Sequence, residues 1–323
     1  MLGNRGPGEP STPAARVNSE IPRQRRQPWM SAALAVRLFG WLTVSALLLQ
    51  ASTAFAAGTV SVLYAGSLVN LMEHGIGPAF DKATGDTFQG FAGGSNLLAN
   101  QIKGKLRRGD VFISANPKVN DDLMGSQNGD WVTWYISFAH SPLLIGYNPQ
   151  SRFAADFKTK SWYQVLMEPG IRIGRTDPKL DPKGKLTVTL MQQAQTAYAI
   201  PDLSQKVLGA PDNPAQVLPE ETLVGRLQSG QLDVGFFYST ETSDAKIPAV
   251  TLPADVAPKA VYTVTILRDG ANPTGADRFV SFLLGSNGQN LMKEHGLAVD
   301  KAALSGNASS LPADIGSLVN NAK

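Results

Sequence analysis

Short runs of apolar residues alternate along this chain with longer stretches in which apolar positions recur every three or four residues. The short runs predict buried β-strands, and the longer stretches predict amphipathic helices. The predicted strands are residues 59–64, 110–114, 142–147, 171–174, 232–237 and 261–267. The predicted helices are residues 68–84, 96–106, 161–166, 186–198, 220–228, 276–284 and 289–295. This alternation favours an α/β fold in which helices cover a sheet.

Two places interrupt the regular pattern. Pro78 lies inside the helix predicted over residues 68–84 and is expected to break or kink it. Residues 305–323 are interpreted as a polar tail. The chain shows no repeat at the periods typical of solenoids or propellers, so a globular arrangement of these elements is expected.

Two turns of small residues carry a serine between a predicted strand and a predicted helix. They are Ala65-Gly66-Ser67 and Gly93-Gly94-Ser95. A serine at a helix start places its hydroxyl beside the unpaired N–H groups of the first turn, where the helix dipole adds positive potential. Each serine alone is more simply explained as an N-cap. The glycines let a ligand approach the backbone closely, and two such turns together would suit a small oxyanion.

Two later segments supply further candidate ligand contacts. In the turn-rich loop of residues 175–184, Pro182-Lys183-Gly184 is predicted to open the next helix and to offer N–H groups to an anion. Asp181 fits this less well, because a carboxylate repels an oxyanion unless it is protonated or coordinates an electrophilic centre. Tyr238 ends a predicted buried strand, where its phenol is either a core group or a donor into a cleft.

The net charge of +3 comes from the start of the chain. Residues 1–56 hold six arginines and two acidic residues, whereas the remainder has 23 basic and 24 acidic residues. This distribution removes most of the case for nucleic-acid binding. The apolar run of residues 38–49 follows Arg37 and precedes Ala54-Phe-Ala56, a pattern typical of a secretory signal peptide cleaved after Ala56. Met30 is an alternative start, and the mature protein is expected in the periplasm.

Cysteine is absent from the sequence, and the three histidines show no metal-ligand spacing. Disulfides, thiolate metal sites, a cysteine nucleophile and a lipid-modified N-terminal cysteine are therefore excluded. No nucleophile elbow, P-loop or zinc-protease motif is present. The sequence thus predicts no catalytic residues, no cofactor and no enzymatic activity.

Several segments match a known family in their order and spacing. They are residues 64–67, 94–102, 109–116, 130–139, 173–184, 227–238 and 262–267. Together they resemble the periplasmic molybdate/tungstate-binding proteins of ABC importers, and the tungstate-preferring branch in particular. No single segment is specific, but the match covers nearly all of the mature chain.

The resemblance implies a two-lobed type II periplasmic binding protein fold with the ligand cleft between the lobes. The lobes would be residues 57–140 plus 255–323, and residues 141–254. Donors would come from both lobes, and Asp181 falls where part of the tungstate branch brings a carboxylate to the metal. The implied ligand contacts are Ser67, Ser95, Asp181, Lys183, Glu221 and Tyr238.

The chain departs from the family pattern at two positions. Phe237 stands where the tungstate branch has a second carboxylate, so a tetrahedral oxyanion held by hydrogen bonds is expected rather than a six-coordinate metal centre. Lys183 replaces a smaller residue and either attracts a dianion or points to solvent. No metal site is expected apart from the metal centre of the anion.

The predicted function is capture of molybdate or tungstate and delivery to an ABC permease of the inner membrane. The protein is expected to be a monomer and to make or break no bond. Binding of sulfate or phosphate is the alternative within the same class. An exported ligand sensor that signals to a membrane receptor is the alternative from another class.

Overall fold

A computed structural model describes residues 57–320 of the chain. The predicted leader, with Met30 and the cleavage point after Ala56, lies outside the described residues. The described part contains nine strands. These are β1 Thr59–Ala65, β2 Thr87–Gly93, β3 Val111–Ser114, β4 Trp134–Tyr147, β5 Ile173–Gly174, β6 Val234–Tyr238, β7 Ala249–Val250, β8 Lys259–Ile266 and β9 Ala298–Gly306.

The strands hydrogen-bond in the order β2-β1-β3-β8-β4-β6-β5, and β7 and β9 also pair with β4. β1 runs parallel to both β2 and β3, so the carboxyl ends of these three strands share one edge. β5 and β6 are parallel to each other as well. In such sheets, ligands bind outside the carboxyl ends of the strands. These two sets of strand ends are therefore the places to look for a site.

Strand β4 connects two groups of strands. Its first part pairs with β8 and β9, with Ile136 opposite Val264 and Leu304. Its second part pairs with β6 and β7, with Ile145 opposite Phe236 and Val250. The first group comprises β1, β2, β3, β8 and β9, and the second comprises β5, β6 and β7. One long strand thus carries the chain from the first group to the second.

Helices cover both groups of strands. The α-helices are α1 Gly77–Thr84, α2 Ser95–Lys103, α3 Pro117–Asp121, α4 Trp162–Leu166, α5 Pro182–Ala197, α6 Leu203–Leu208, α7 Leu223–Gln228, α8 Ser239–Asp244, α9 Pro273–Leu284, α10 Ser286–Glu294 and α11 Ala313–Asn320. Short 3₁₀ segments include Gly66–Leu68 and Glu220–Thr222. The predicted α/β class is confirmed. Within the described residues, no helix has the length and apolar character needed to cross a membrane.

The structure corrects several element boundaries. The helix predicted over residues 68–84 is divided into the 3₁₀ turn Gly66–Leu68, the π-helical segment Leu71–Ile76 and α1. Pro78 lies in the first turn of α1, which follows directly on the π-helical segment. The regular α-helical pattern is therefore interrupted at this proline, as the sequence predicted.

Other corrections concern strands without a strong apolar run. β4 begins at Trp134 instead of residue 142, and β2 was not predicted. β2 pairs only with β1 and is half-exposed, so it lacks the continuous apolar residues of a central strand. The expected polar tail after residue 305 is wrong, because β9 extends to Gly306 and α11 follows it. Ile315 of α11 is fully buried, so a few apolar contacts suffice to fix this segment.

Candidate functional site

The first half of the candidate site consists of the two serine turns, which we call the serine wall (Gly66-Ser67 and Gly93-Gly94-Ser95). β1 ends at Ala65 and β2 ends at Gly93, so both turns follow strand ends at the same edge of the sheet. Ser67 is 5% exposed and Ser95 is fully buried. The parallel pairing of β1 and β2 is what brings the two turns together.

Neither serine caps its helix through its side chain. The residues before these short helices are Ala65 and Gly94, and neither makes a side-chain cap. The Ser67 hydroxyl lies 3.0 Å from the hydroxyl of Tyr262 on β8. Ser95 Oγ accepts the Ala115 N–H at 3.1 Å, which leaves its own O–H free to donate. The capping explanation therefore fails for both side chains.

The opposite half, which we call the carboxyl wall, consists of Asp181, Glu220 and Tyr238. Asp181 is the N-cap of α5 and is 3% exposed. Its Oδ1 accepts the Lys183 N–H at 2.5 Å, whereas its Oδ2 has no partner among the described residues. α5 begins at Pro182, as the loop pattern predicted, but the Lys183 N–H is bound by Asp181 instead of facing outward.

Glu220 brings a second buried carboxyl group to this wall. Its residue is 5% exposed, and its Oε2 also lacks a partner among the described residues. Burial, and then the nearby charge of Asp181, raises the pKa of Glu220 well above its usual value. Burial also raises the pKa of Asp181. In the anion-free protein, a proton on Glu220 lets this residue donate a hydrogen bond to Asp181. Loss of that proton leaves Asp181 Oδ2 and Glu220 Oε2 without a partner among the described residues.

The family resemblance implied a ligand contact at the helix start near Glu221, and that contact stays a prediction. Glu221 is exposed, and Glu220 is the residue of this 3₁₀ turn that faces the carboxyl wall. The tungstate branch has its second carboxylate at the position of Phe237, which in this chain packs with Leu223 and Leu227 in an apolar cluster. Alternation along β6 explains this, because successive side chains of a strand point to opposite faces.

Tyr238 ends β6 and is fully buried. Its hydroxyl oxygen has no hydrogen-bond partner among the described residues. Burial raises the pKa of Tyr238, so the phenol keeps its proton and remains a donor. Its ring packs edge-on against the Tyr262 ring, with centroids 6.2 Å apart. Because Tyr262 also contacts Ser67, these two tyrosines connect the two walls.

Lys183 neither points to solvent nor presents a free ammonium group to the site. Its side chain is fully buried, and Nζ lies 2.7 Å from Glu241 Oε1 and 3.4 Å from Glu220 Oε1. Burial alone lowers the pKa of Lys183, but the charges of Glu241, Glu220 and Asp181 outweigh burial and raise it. The lysine is therefore a charged group paired within the protein.

The two walls touch across their junction. A methyl group at Gly94 would lie 2.6 Å from the Leu180 carbonyl oxygen, and one at Gly66 would lie 2.8 Å from Glu220 Oε2. The Leu97 N–H donates to the same Leu180 oxygen at 3.0 Å. The glycines of the serine wall are therefore required for close approach of the carboxyl wall.

Two cavities border this junction, and Glu220 and Glu221 line both. The first measures about 230 Å³ and reaches Gly94 and Asp181. The second measures about 170 Å³ and reaches Ser67. The cleft between the serine and carboxyl walls thus combines Glu220 with Asp181 in the first cavity and with Ser67 in the second, whereas Ser95 and Tyr238 are fully buried and line neither cavity. Within residues 57–320, no group of three acidic or histidine side chains is arranged to hold a metal ion.

Sequence reasoning missed Glu220, Glu241 and Tyr262. A local signal existed for Glu241, which is the third residue after Tyr238 and caps the start of α8 by accepting the Tyr238 N–H at 2.8 Å. Glu220 directly follows a proline at the start of a 3₁₀ turn, which does not distinguish it from Glu221. Tyr262 lies in a buried strand, where only the fold reveals its contact with Ser67.

The model of the bacterial extracellular solute-binding protein family matches residues 60–298, a range that contains every residue of both walls. The chain belongs to this family. Members of the family are transport proteins, and the family description implies an exported protein. The match therefore supports the prediction, made from the leader, that the protein is exported.

Individual relatives support the same assignment. The chain is 28% identical over 301 residues to an uncharacterized solute-binding protein of Petrotoga mobilis, covering 81% of this chain and 88% of that protein. It is 24% identical over 318 residues to the molybdate/tungstate-binding protein WtpA of Thermococcus kodakarensis, covering 82% and 89%.

Among solved structures, the periplasmic molybdate-binding protein of Azotobacter vinelandii aligns with a TM-score of 0.58 at 19% identity, covering 76% of this chain and 99% of that one. At this identity the likeness shows the fold alone. The fold is the two-lobed periplasmic binding protein fold, as the sequence predicted.

Proposed function

We propose that this protein captures molybdate or tungstate in the cleft between the serine and carboxyl walls and delivers the anion to an ABC permease. The lobes would be residues 57–140 plus 255–323, and residues 141–254. Support comes from the relative named as a molybdate/tungstate-binding protein, whose alignment covers 82% of this chain. The position of the cleft also fits, because each wall belongs to a different proposed lobe.

Hydroxyl donors make the first contribution to anion binding. Ser95 has a free O–H, and the Tyr238 hydroxyl is buried without a partner among the described residues. The hydroxyls of Ser67 and Tyr262 are hydrogen-bonded to each other, and the one that accepts keeps its own O–H to donate. Donors that are already oriented and shielded from water bind an anion with little reorganisation.

The pair of buried carboxyl groups, Asp181 and Glu220, is the observation that carries the choice of anion. Ionised carboxylates repel sulfate and phosphate, whose central atoms accept no further oxygen ligand. Molybdenum and tungsten centres do accept additional carboxylate oxygens. We propose that Glu220 supplies the second carboxylate that the tungstate branch has at the position of Phe237. Two carboxyl oxygens, Asp181 Oδ2 and Glu220 Oε2, then have no other partner among the described residues. We therefore favour direct coordination over a purely hydrogen-bonded tetrahedral anion.

Transport without chemistry completes the proposal. The family is one of solute-binding proteins, and lobe closure around the anion is the only motion required. The leader is proposed to direct export to the periplasm and to be cleaved after Ala56. The mature protein is proposed to act as a monomer, to bind no nucleic acid and to catalyse no reaction.

Isothermal titration calorimetry of residues 57–323, stripped of bound anion by unfolding and refolding, tests the proposal. Tungstate and molybdate are expected to bind more tightly than sulfate and phosphate. Tighter binding of sulfate or phosphate than of both metal oxyanions would contradict it. The Glu220→Gln variant is expected to lose affinity for tungstate, whereas Glu294→Gln, which changes an exposed glutamate at the end of α10, serves as the control.

A further inference from the structure

A buried lysine and a buried glutamate lie beside the carboxyl wall, and Glu241 also borders the cavity that reaches Ser67. The side chain of Lys183 is fully buried and that of Glu241 is 5% exposed, and Lys183 Nζ donates to Glu241 Oε1 at 2.7 Å. Burying two charges is costly unless they are paired and hydrogen-bonded. We therefore expect this pair to have a role in the site that apolar side chains in its place would not have.

The contacts of the pair reach every member of the carboxyl wall. Lys183 donates its main-chain N–H to Asp181 Oδ1, and its Nζ lies 3.4 Å from Glu220 Oε1. Glu241 uses its second oxygen to accept the Tyr238 N–H at 2.8 Å. The Lys183 ammonium also lies 5.5 Å from the centroid of the Tyr238 ring. Each of the three wall residues therefore has at least one contact with the pair, which for Asp181 is made by the Lys183 main chain.

The division of oxygen atoms separates the pair from the ligand. Glu220 turns Oε1 toward Lys183 and keeps Oε2 without a partner among the described residues. Asp181 likewise binds Lys183 through Oδ1 and keeps Oδ2 free of partners. In both carboxyl groups, one oxygen is held from behind while the other remains available to the cleft.

We propose that Lys183 and Glu241 form a positioning pair, which sets the orientation of Asp181, Glu220 and Tyr238 without touching the anion itself. The inference rests on the proposed function, because the three oriented groups are the ones proposed to bind the oxyanion. It assigns Lys183 a role different from the direct ligand contact implied by the family resemblance. Glu241 acquires a role that the sequence did not suggest.

Two variants separate positioning from stability. Glu241→Gln keeps an oxygen for the Tyr238 N–H but places an amide opposite Lys183, so the ion pair is lost and the helix cap is kept. The double variant Lys183→Met/Glu241→Leu replaces the pair by apolar side chains, an exchange that buried ion pairs often tolerate. Lys185→Met changes an exposed lysine of the same helix and is the matched control.

The assay is the dissociation constant of tungstate by calorimetry, together with urea unfolding of each anion-free variant. Both test variants are expected to bind tungstate at least tenfold more weakly, and the Lys185→Met control to match the wild type. Glu241→Gln is also combined with Tyr238→Phe. In the Tyr238→Phe background, Glu241→Gln is expected to cause a smaller loss of tungstate affinity, because the hydroxyl that Glu241 helps to orient is absent. Coupled residues behave non-additively in this way.

Wild-type affinity in Glu241→Gln would overturn the positioning pair, as would losses that simply add in the combined variant. If the double variant does not fold, Glu241→Gln decides alone, since it retains the cap. Failure of the wild-type protein to bind tungstate or molybdate would instead overturn the proposed function. The wild-type titration thus distinguishes the two failures.

Discussion

Removal of the Tyr238 hydroxyl discriminates between a core residue and a ligand donor. The hydroxyl is fully buried and has no partner among the described residues, whereas the ring packs against Tyr262. Tyr238→Phe deletes one oxygen and retains this packing. If Tyr238 were only a core residue, this change would reduce neither tungstate affinity nor the unfolding free energy, because an unpartnered buried hydroxyl is itself destabilising.

The magnitude follows from these contacts. A hydrogen bond to a charged acceptor contributes about 1.5–3 kcal/mol, which corresponds to a loss of roughly 10- to 150-fold in affinity. In the anion-free protein, deletion of an unsatisfied hydroxyl leaves the unfolding free energy unchanged or raises it by up to about 3 kcal/mol. Tyr238→Phe is therefore expected to weaken tungstate binding without loss of stability.

Calorimetry with tungstate and urea unfolding of the anion-free protein measure the two quantities. Tyr147→Phe is the matched control, because Tyr147 lies at the other end of the same pairing of β4 with β6. Wild-type tungstate affinity in Tyr238→Phe would refute the assignment of the phenol as a donor. A fall in unfolding free energy of more than 1 kcal/mol would show that the hydroxyl has a structural partner.

Three further predictions address other parts of the protein. Ser67→Ala plus Ser95→Ala is expected to weaken tungstate binding at least tenfold in calorimetry, while circular dichroism shows a folded protein, since both hydroxyls are proposed donors. Gly94→Ala is expected to reduce tungstate affinity and to lower the unfolding free energy, because its methyl group would lie 2.6 Å from the Leu180 carbonyl oxygen and the main chain would have to shift. Arg172→Met is expected to lower the unfolding free energy at pH 7 by about 1–3 kcal/mol, and this difference should vanish as pH falls from 4 toward 2.

The pH window follows from Asp233, which Arg172 contacts at 2.9 Å through both carboxylate oxygens. Burial alone raises the pKa of Asp233, but the hydrogen bonds from Arg172 outweigh burial and lower it to about 2. A lowered carboxylate pKa stabilises the folded protein above the unfolded value near 4, and that stability is lost on acidification. A difference between variant and wild type that persisted at pH 2 would contradict this explanation.

Controls for the other two variants use the same assays. Gly316→Ala in α11 adds a methyl group whose nearest neighbour is the Leu311 side chain at 3.7 Å, an ordinary contact, so it should leave tungstate affinity unchanged. Equal effects of Gly94→Ala and Gly316→Ala would refute the steric argument. Unaltered affinity in the serine double variant would mean that Ser67 and Ser95 only hold the local structure.

The sequence predicted the α/β class because its buried strands are apolar runs, such as those of β1 and β6. It did not predict β2, whose glycines and half-exposed residues carry no such signal. It also did not predict that β4 begins at Trp134. The two parts of β4 pair with different strands, so its residues do not follow one uniform pattern of burial.

The candidate site was predictable where local chemistry marked it. Small residues around Ser67 and Ser95 pointed to close approach, and Asp181 preceded a helix start. Glu220 carried no such local signal, and the capping position of Glu241 marked a helix start but not its burial, because acidic residues in a polar segment are usually exposed. Their burial results from the packing of two distant segments around Lys183, which sequence spacing does not encode.

The position of bound tungsten tests the central claim most directly. Crystals of residues 57–323 grown with tungstate, measured at the tungsten absorption edge, would locate the metal by anomalous scattering. We expect one dominant peak in the cleft, in contact with Ser95, Asp181, Glu220 and Tyr238. A dominant tungsten peak elsewhere on the protein, or none in this cleft, would contradict the proposed function.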